Sequence, residues 1–203
     1  MNFRAASAAD IPALASVHRA AMPDFLLPML GVRYLKRHFW PRVFSRPDIA
    51  EVTVAEDDNR AIAGFIVCAP VSAAIKRLAT GSPLATLPYL PAVLARHPSY
   101  LFDILAILRG ERRELAPGTT INVDMTAELF SIAVTPERQG AGLGAELARA
   151  GLKRLARYPV IVRAARPDAI RFYKKLGFRG IGIEARGSIS ITILALQNAG
   201  SLT

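Results

Sequence analysis

The chain has 203 residues, 52% of them hydrophobic and 21% charged, and a formal net charge of +10. That length suits one folded domain of about 100–200 residues with its own core, and the composition excludes a disordered chain. The single cysteine, Cys68, excludes an intrachain disulfide and fits a reducing compartment.

The opening residues, Met1 to Ala5, lack the apolar stretch of a secretory leader, so a cytoplasmic location is expected. The apolar stretch from Ala61 to Ile75 is shorter than the roughly 20 residues of a membrane span, and the one from Leu84 to Ala95 is cut by Pro88 and Pro91. No stable membrane insertion is expected. The basic residues are scattered and not interleaved with aromatics, which argues against nucleic acid. The surplus charge suits an anionic small ligand.

In chain order, Phe3 to Ala6 predicts a first strand. Ser7 and Asp10 frame a helix start, with Ile11, Leu14, Ala15, Val17 and Ala21 at helical spacing. A second helix is predicted from Pro28 to Phe44, interrupted or ended near Pro41. Glu51 to Glu56 alternates at period two, Asp57 to Arg60 makes a hairpin turn, and Ala61 to Cys68 is the return strand. From Val71 to Gly118 prolines punctuate short helical pieces, including Pro91–Arg96 and Ser99–Leu108. This predicts a helical insert over about 71–118, since so long a structureless loop is uncommon. Glu128 to Val134 is then a strand, Gly142 to Tyr158 a helix, Val160 to Ala164 a buried strand, and Asp168 to Leu176 a short helix. Ile181–Ala185 and Ile189–Leu196 close the chain as a hairpin. The order predicts one α/β (α+β) domain over 1–203, with a mixed, mostly antiparallel sheet and helices on both faces.

The segment that carries chemistry follows the strand ending at Val134. Gln139, Gly140, Ala141, Gly142, Leu143 and Gly144 run from a loop into a helix. The first N–H groups of a helix have no internal partner and favour a phosphate. Glycines let the backbone approach the anion, and Arg138 can add a charged contact. A packing-only turn is the plain alternative, but three glycines at a helix start weaken the helix. The spacing Gly140-x-Gly142-x-x-Ala145 also matches a dinucleotide fingerprint, with Arg163 or Arg166 as a 2′-phosphate contact. Against that stand the loop before Gly140, its place late in the chain, and the lack of a ribose-binding acid.

The run Gln139-Gly140-Ala141-Gly142-Leu143-Gly144 resembles the Q/R-x-x-G-x-G/A signature of the GNAT superfamily of N-acetyltransferases. Ala169-Ile170-Arg171-Phe172-Tyr173-Lys174-Lys175-Leu176-Gly177-Phe178 is similar to its A-x-x-F-Y-x-x-x-G-F signature. The detailed match runs from Glu128 to Phe178, and the 71–118 insert lies outside the common core. The resemblance implies acetyl-CoA as acyl donor. Ile132, Ala133 and Val134 would offer backbone groups to its pantetheine arm. The amides from Gly140 to Ala145 would hold its pyrophosphate, and Tyr173 would serve the leaving thiolate. Where the family often carries Asn, this chain has Arg166, a phosphate contact or a solvent-facing residue. Ile161 occupies a slot where some members place a glutamate base.

An alkylammonium is only about 0.1% neutral at pH 7, so the amine needs a base or a dry pocket. Glu128, opening the strand beside the cofactor loop, is the candidate base. The plainer reading is an exposed strand-end carboxylate. Cys68, between Val67 and Ala69, reads as core rather than nucleophile. His18, His38 and His97 lack ligand spacing, so no metal is expected. Trp40 anchors the second helix or lines an acceptor pocket. The function expected is transfer of an acetyl group to a primary amine of a small molecule. A protein N-terminal or lysine acetyltransferase, a non-catalytic acyl-CoA sensor and a lipid-surface protein stay as alternatives, and a homodimer is compatible with all of them.

Overall fold

The computed structural model describes residues 1–81, 83–98, 101, 112–155, 159–186 and 189–197. One eight-stranded sheet organises the chain. Its strands are β1 (Asn2–Ala5), β2 (Glu51–Glu56), β3 (Ile62–Ala69), β4 (Arg112–Leu115), β5 (Ala127–Val134), β6 (Val160–Ala164), β7 (Arg179–Arg186) and β8 (Ile189–Leu196). They lie in the order β1-β2-β3-β5-β6-β8-β7-β4. All pairs are antiparallel except β5 with β6. The expected mixed, mostly antiparallel α/β architecture is therefore what the chain adopts.

The helices among the described residues are α1 (Ile11–Ala21), α2 (Leu26–Met29), α3 (Val32–Tyr34), α4 (Trp40–Phe44), α5 (Ser72–Thr80), α6 (Pro83–Thr86), α7 (Leu90–Arg96), α8 (Leu143–Arg154) and α9 (Pro167–Lys175). The start of α1 follows its sequence signal. A 3-10 turn at Ala8–Asp10 precedes it, and the Asp10 carboxylate accepts the Ser7 N–H at 2.7 Å. Arg4 forks onto Asp10 at 2.8 and 2.9 Å, and its guanidinium is the main reason the Asp10 carboxyl is held down at about 2.

β3 shows why the sheet needs cover on both faces. Side chains alternate along a strand. Phe65 and Val67 face α1, Leu35, Phe39 and Trp40, while Ile66 and Cys68 face Leu147 and Leu152 of α8. The run Ala63–Ala69 is thus apolar throughout. Burying each such Leu or Phe contributes about 1.5–3 kcal/mol. Gly64 lets β5 approach: a Cβ there would lie 2.7 Å from the Ala133 carbonyl oxygen and 2.9 Å from Leu147 Cδ1.

Several expected boundaries shift. The helix expected over Pro28–Phe44 is broken at Gly31, which takes φ +92°, and resumes at Val32. It passes through a π-helical turn at Leu35–Phe39 and carries Pro41 inside α4, where the first turn tolerates it. Trp40 is fully buried there. The helix expected from Gly142 to Tyr158 is α8, Leu143–Arg154, with 156–158 outside the described residues. The 71–118 segment does contain α5, α6 and α7, but it is not purely helical. Arg112–Leu115 forms the edge strand β4 against β7, pairing Arg113 with Glu184. The helical piece expected at Ser99–Leu108 lies almost entirely outside the described residues.

Candidate active site

β5 and β6 form a fork. They pair only at Ala127 with Val160 and Glu128 with Ile161. Beyond that point β5 follows β3 and β6 follows β8. A bulge drives them apart: Cys68 pairs with Leu129 and Val67 with Ser131, leaving Phe130 as the extra residue on β5. Leu129–Val134 and Val162–Ala164 therefore border a gap in the sheet.

The glycine-rich turn stands at the far end of β5. Gln139 Nε2 donates to the Val134 carbonyl at 2.9 Å and ties the loop to the strand end. Gly140 and Gly142 take φ +79° and +89°, a region that side-chain-bearing residues avoid. A Cβ at either would meet nothing within 4 Å, so backbone conformation and not crowding calls for glycine there. Among the described residues, the N–H groups of Gly140, Ala141, Gly142, Leu143 and Gly144 find no backbone acceptor. The first bonds of α8 run from Ala145 and Glu146 to the Gly142 carbonyl. The turn thus presents a row of unfilled donors at the positive end of a 12-residue helix.

The two arginines expected near the phosphates are paired with acids instead. Arg138 lies 3.8 Å from the Asp57 carboxylate, and Arg166, at the N-cap of α9, is bonded to Asp168 at 2.9 Å. Both are exposed, so their ion pairs are weak and leave them able to swing.

Tyr173 and Glu128 lie on opposite faces of the sheet beside the fork. Tyr173 projects from α9 into the core shared with Leu129, Val162 and α8, with its ring against Phe172 and Phe178. Burial raises the pKa of its hydroxyl, and the nearby Glu128 carboxylate raises it further, so it stays protonated. Cys68 is buried as expected of a core residue, and burial pushes its thiol up to about 12.

Glu128 overturns the plainer expectation of an exposed strand-end carboxylate, for it is only 2% exposed. Its Oε1 meets Arg163 Nη1 at 2.6 Å. Arg163 Nε donates to Glu184 Oε2 at 2.9 Å, and its Nη1 to Ser72 Oγ at 2.9 Å. Glu184 also takes Lys76 at 3.1 Å and lies 3.8 Å from Arg113 Nε, while Arg113 forks onto Asp124 at 2.9 and 3.0 Å. Strand register puts Glu128, Arg163, Glu184 and Arg113 on one face, a row of alternating charge crossing the sheet beneath Lys76 and Ser72 of α5. Burial pulls the Arg163 pKa down, but the carboxylates of Glu128 and Glu184 outweigh it and the net shift is upward. Ile161 is plain core, packed with Val123, Ile193 and Ala195.

The sequence pattern did not single out Lys76, Arg113, Asp124 and Glu184. The available signal was a lone charge in each of two apolar runs, Arg163 in Val160–Ala164 and Glu184 in Ile181–Ala185. A charge at such a position is buried only when paired.

The profile of the Acetyltransferase (GNAT) family matches residues 91–178. That span contains the fork, the glycine turn and Tyr173. Over those residues the chain is similar to the GNAT family. No curated protein matches it by sequence. Among solved structures, the Corynebacterium glutamicum protein described as histone acetyltransferase HPA2 and related acetyltransferase is 14% identical, with TM-score 0.61, covering 100% of this chain and 98% of its own. An N-acetyltransferase of Staphylococcus aureus Mu50 is 15% identical with TM-score 0.61, covering 97% and 100%. A spermidine N-acetyltransferase chimera from Vibrio cholerae and hSSAT is 13% identical with TM-score 0.59, covering 97% and 94%. At these identities the likeness is one of fold. Among the described residues no single helix is long and apolar enough to cross a membrane, and no group of three or more His, Cys, Asp or Glu could hold a metal ion.

Proposed function

We propose that this protein is a GNAT acetyltransferase that transfers an acetyl group from acetyl-CoA to a primary amine of a small molecule, directly and without a covalent enzyme intermediate. The observation that carries the reading is the row of unfilled N–H groups from Gly140 to Gly144, at the end of a strand whose other end meets the fork. These residues fit the donor: the amides suit a pyrophosphate, and nothing stands within 4 Å of Gly140 or Gly142 on the side where a Cβ would be. The backbone edge at Ile132, Ala133 and Val134 would hold the pantetheine arm as an added strand. Leu143 and Ala145 would complete the phosphate cradle. Arg138 and Arg166 would exchange Asp57 and Asp168 for phosphate.

Acetyl-CoA supplies an activated thioester. The chain's own groups divide the proton work. Glu128 would take a proton from the acceptor ammonium, directly or through water. Glu128 Oε1 is taken by Arg163, while its Oε2 has no hydrogen-bond partner among the described residues and is the oxygen placed to take that proton. Tyr173, kept neutral by burial, would return a proton to the departing sulfur. Of the two protons the ammonium loses, one ends on the thiol and one in solvent.

Acetyl-CoA turnover with an amine panel tests this reading. Free thiol released in step with an acetylated amine is the expected result. Failure of both acetyl-CoA and CoA to bind at millimolar concentration would remove it. That result would also remove the non-catalytic acyl-CoA sensor, which calorimetric binding without turnover would favour.

A further inference from the structure

The charge row ends at the fork with two buried atoms that nothing fills. Glu128 Oε2 and Arg163 Nη2 have no hydrogen-bond partner among the described residues. Each sits on the same terminal group as an atom of the 2.6 Å Glu128–Arg163 contact, so an unfilled acceptor and an unfilled donor are neighbours. Both side chains are more than nine-tenths buried, at 2% and 9% exposure. Leaving such atoms empty is costly, and sites of this kind are completed by a ligand or by water.

We infer that the acceptor is a zwitterionic α-amino acid, its ammonium received by Glu128 Oε2 and its carboxylate by Arg163 Nη2. The inference rests on the acetyltransferase reading and deepens it by naming the substrate class.

Charge balance favours this occupant over a polyamine. Among the described residues, the carboxylates of Glu128, Glu184 and Asp124 face the cations Arg163, Arg113 and Lys76, three charges against three. A polycation would bring charge that these three matched carboxylates do not meet, beside a buried guanidinium. A simple amine would satisfy Glu128 but leave Nη2 dry and empty. A zwitterion adds no net charge and fills both atoms. In the transfer, the amino nitrogen bonds to the acetyl carbon as the carbon–sulfur bond breaks. Loss of the positive charge leaves an N-acetylated carboxylate still held by Arg163.

The test compares matched pairs differing only in the carboxylate, with acetyl-CoA held saturating: phenylalanine with phenethylamine, leucine with 3-methylbutylamine, lysine with cadaverine. Leucinamide and spermidine complete the panel. A site built to bond a polar group rejects the analogue lacking it strongly. At least one amino acid is expected to exceed its decarboxylated partner about 100-fold in kcat/KM. Calorimetry with CoA present is expected to show that amino acid binding and its amine not binding. Arg163→Gln should reduce the ratio to below about 5-fold, mainly through KM. If that variant does not fold, the wild-type ratio decides alone. Equal turnover of amino acid and amine, of leucine and leucinamide, or a preference for spermidine overturns the zwitterion while leaving the acetyltransferase intact. If no amine accepts acetyl at all, both readings fall.

Discussion

Lowering the pH from 7 to 5 should cost this protein about 2 kcal/mol of stability through His18 alone. His18 sits on α1 and is buried among the rings of Phe39, Trp40 and Phe65, with centroids 5.4 to 5.7 Å away. Its Nδ1 has no hydrogen-bond partner, and burial lowers its pKa from 6.5 to about 4. The unfolded chain takes up a proton as pH falls through about 6.5, while the folded chain refuses it until about 4. The contribution is therefore complete above the unfolded value and is lost as pH falls between the two. A tenfold change in proton concentration, borne by one group in one state only, is worth about 1.4 kcal/mol. Between pH 7 and 5 most of one proton is gained by the unfolded state alone, which gives the figure above. Urea unfolding measures it: with a slope of about 2 kcal/mol per molar, the midpoint should fall by roughly 1 M. Asp10, whose folded pKa is about 2, acts only below its unfolded value of 3.8 and does not enter this window. His18→Leu should remove the drop while changing stability at pH 7 by less than about 1 kcal/mol, because no hydrogen bond to Nδ1 is lost. An unchanged midpoint between pH 7 and 5 in the wild type, or an undiminished drop in His18→Leu, would refute the reasoning.

Three further outcomes concern the site. Gly142→Ala forces a side chain onto φ +89° at a cost of about 1–2 kcal/mol, so calorimetry should show CoA binding weakened roughly tenfold, with little change in kcat. Gly64→Ala drives a methyl group to 2.7 Å from the Ala133 carbonyl, a backbone atom that can yield only if β5 shifts. Thermal unfolding should report a loss of about 1–3 kcal/mol, with CoA affinity falling because β5 moves. Tyr173→Phe should lower kcat by about 10²–10⁴ and leave the KM for acetyl-CoA within about twofold; an unchanged kcat would reassign Tyr173 to packing.

Local signals made much of this molecule readable. The glycine turn, the alternation of β2 and the apolar run of β3 each follow from residues within a few positions of one another. β4 escaped because Arg112-Arg113-Glu114-Leu115 is a short, polar edge strand, and edge strands carry little hydrophobic pattern. The π-turn at Leu35–Phe39 escaped because its residues keep helical spacing while the hydrogen-bond register slips by one. The charge row escaped for a different reason. Lys76 and Glu184 are 108 positions apart, and Arg163 and Ser72 are 91 apart. Only the sheet order, which places β7 and β6 on either side of β8, brings them together.

That distance separates two kinds of information in the site. Arg166 apart, the groups that would hold the donor lie close together in sequence, because a phosphate cradle is made by one turn of backbone and needs little else. The groups that would choose the acceptor come from α5, β5, β6 and β7, so they depend on the whole sheet being in register. A slip of one residue in β6 would turn Arg163 to the opposite face, leaving Glu128 buried without its cation. Such a charge costs about 3–5 kcal/mol when its partner is removed. The fork and the charge row therefore reinforce one another. The Glu128–Arg163 contact ties β5 to β6 just past the last residues that pair across them, where the gap opens. Relaxing acceptor choice by removing Arg163 should consequently also loosen the fork, and affinity for CoA should fall with it even though Arg163 makes no contact with the glycine turn. Glu184→Gln separates the two effects. It keeps the Glu128–Arg163 tie while unbalancing the charge, so CoA binding should hold and only the acceptor preference should change.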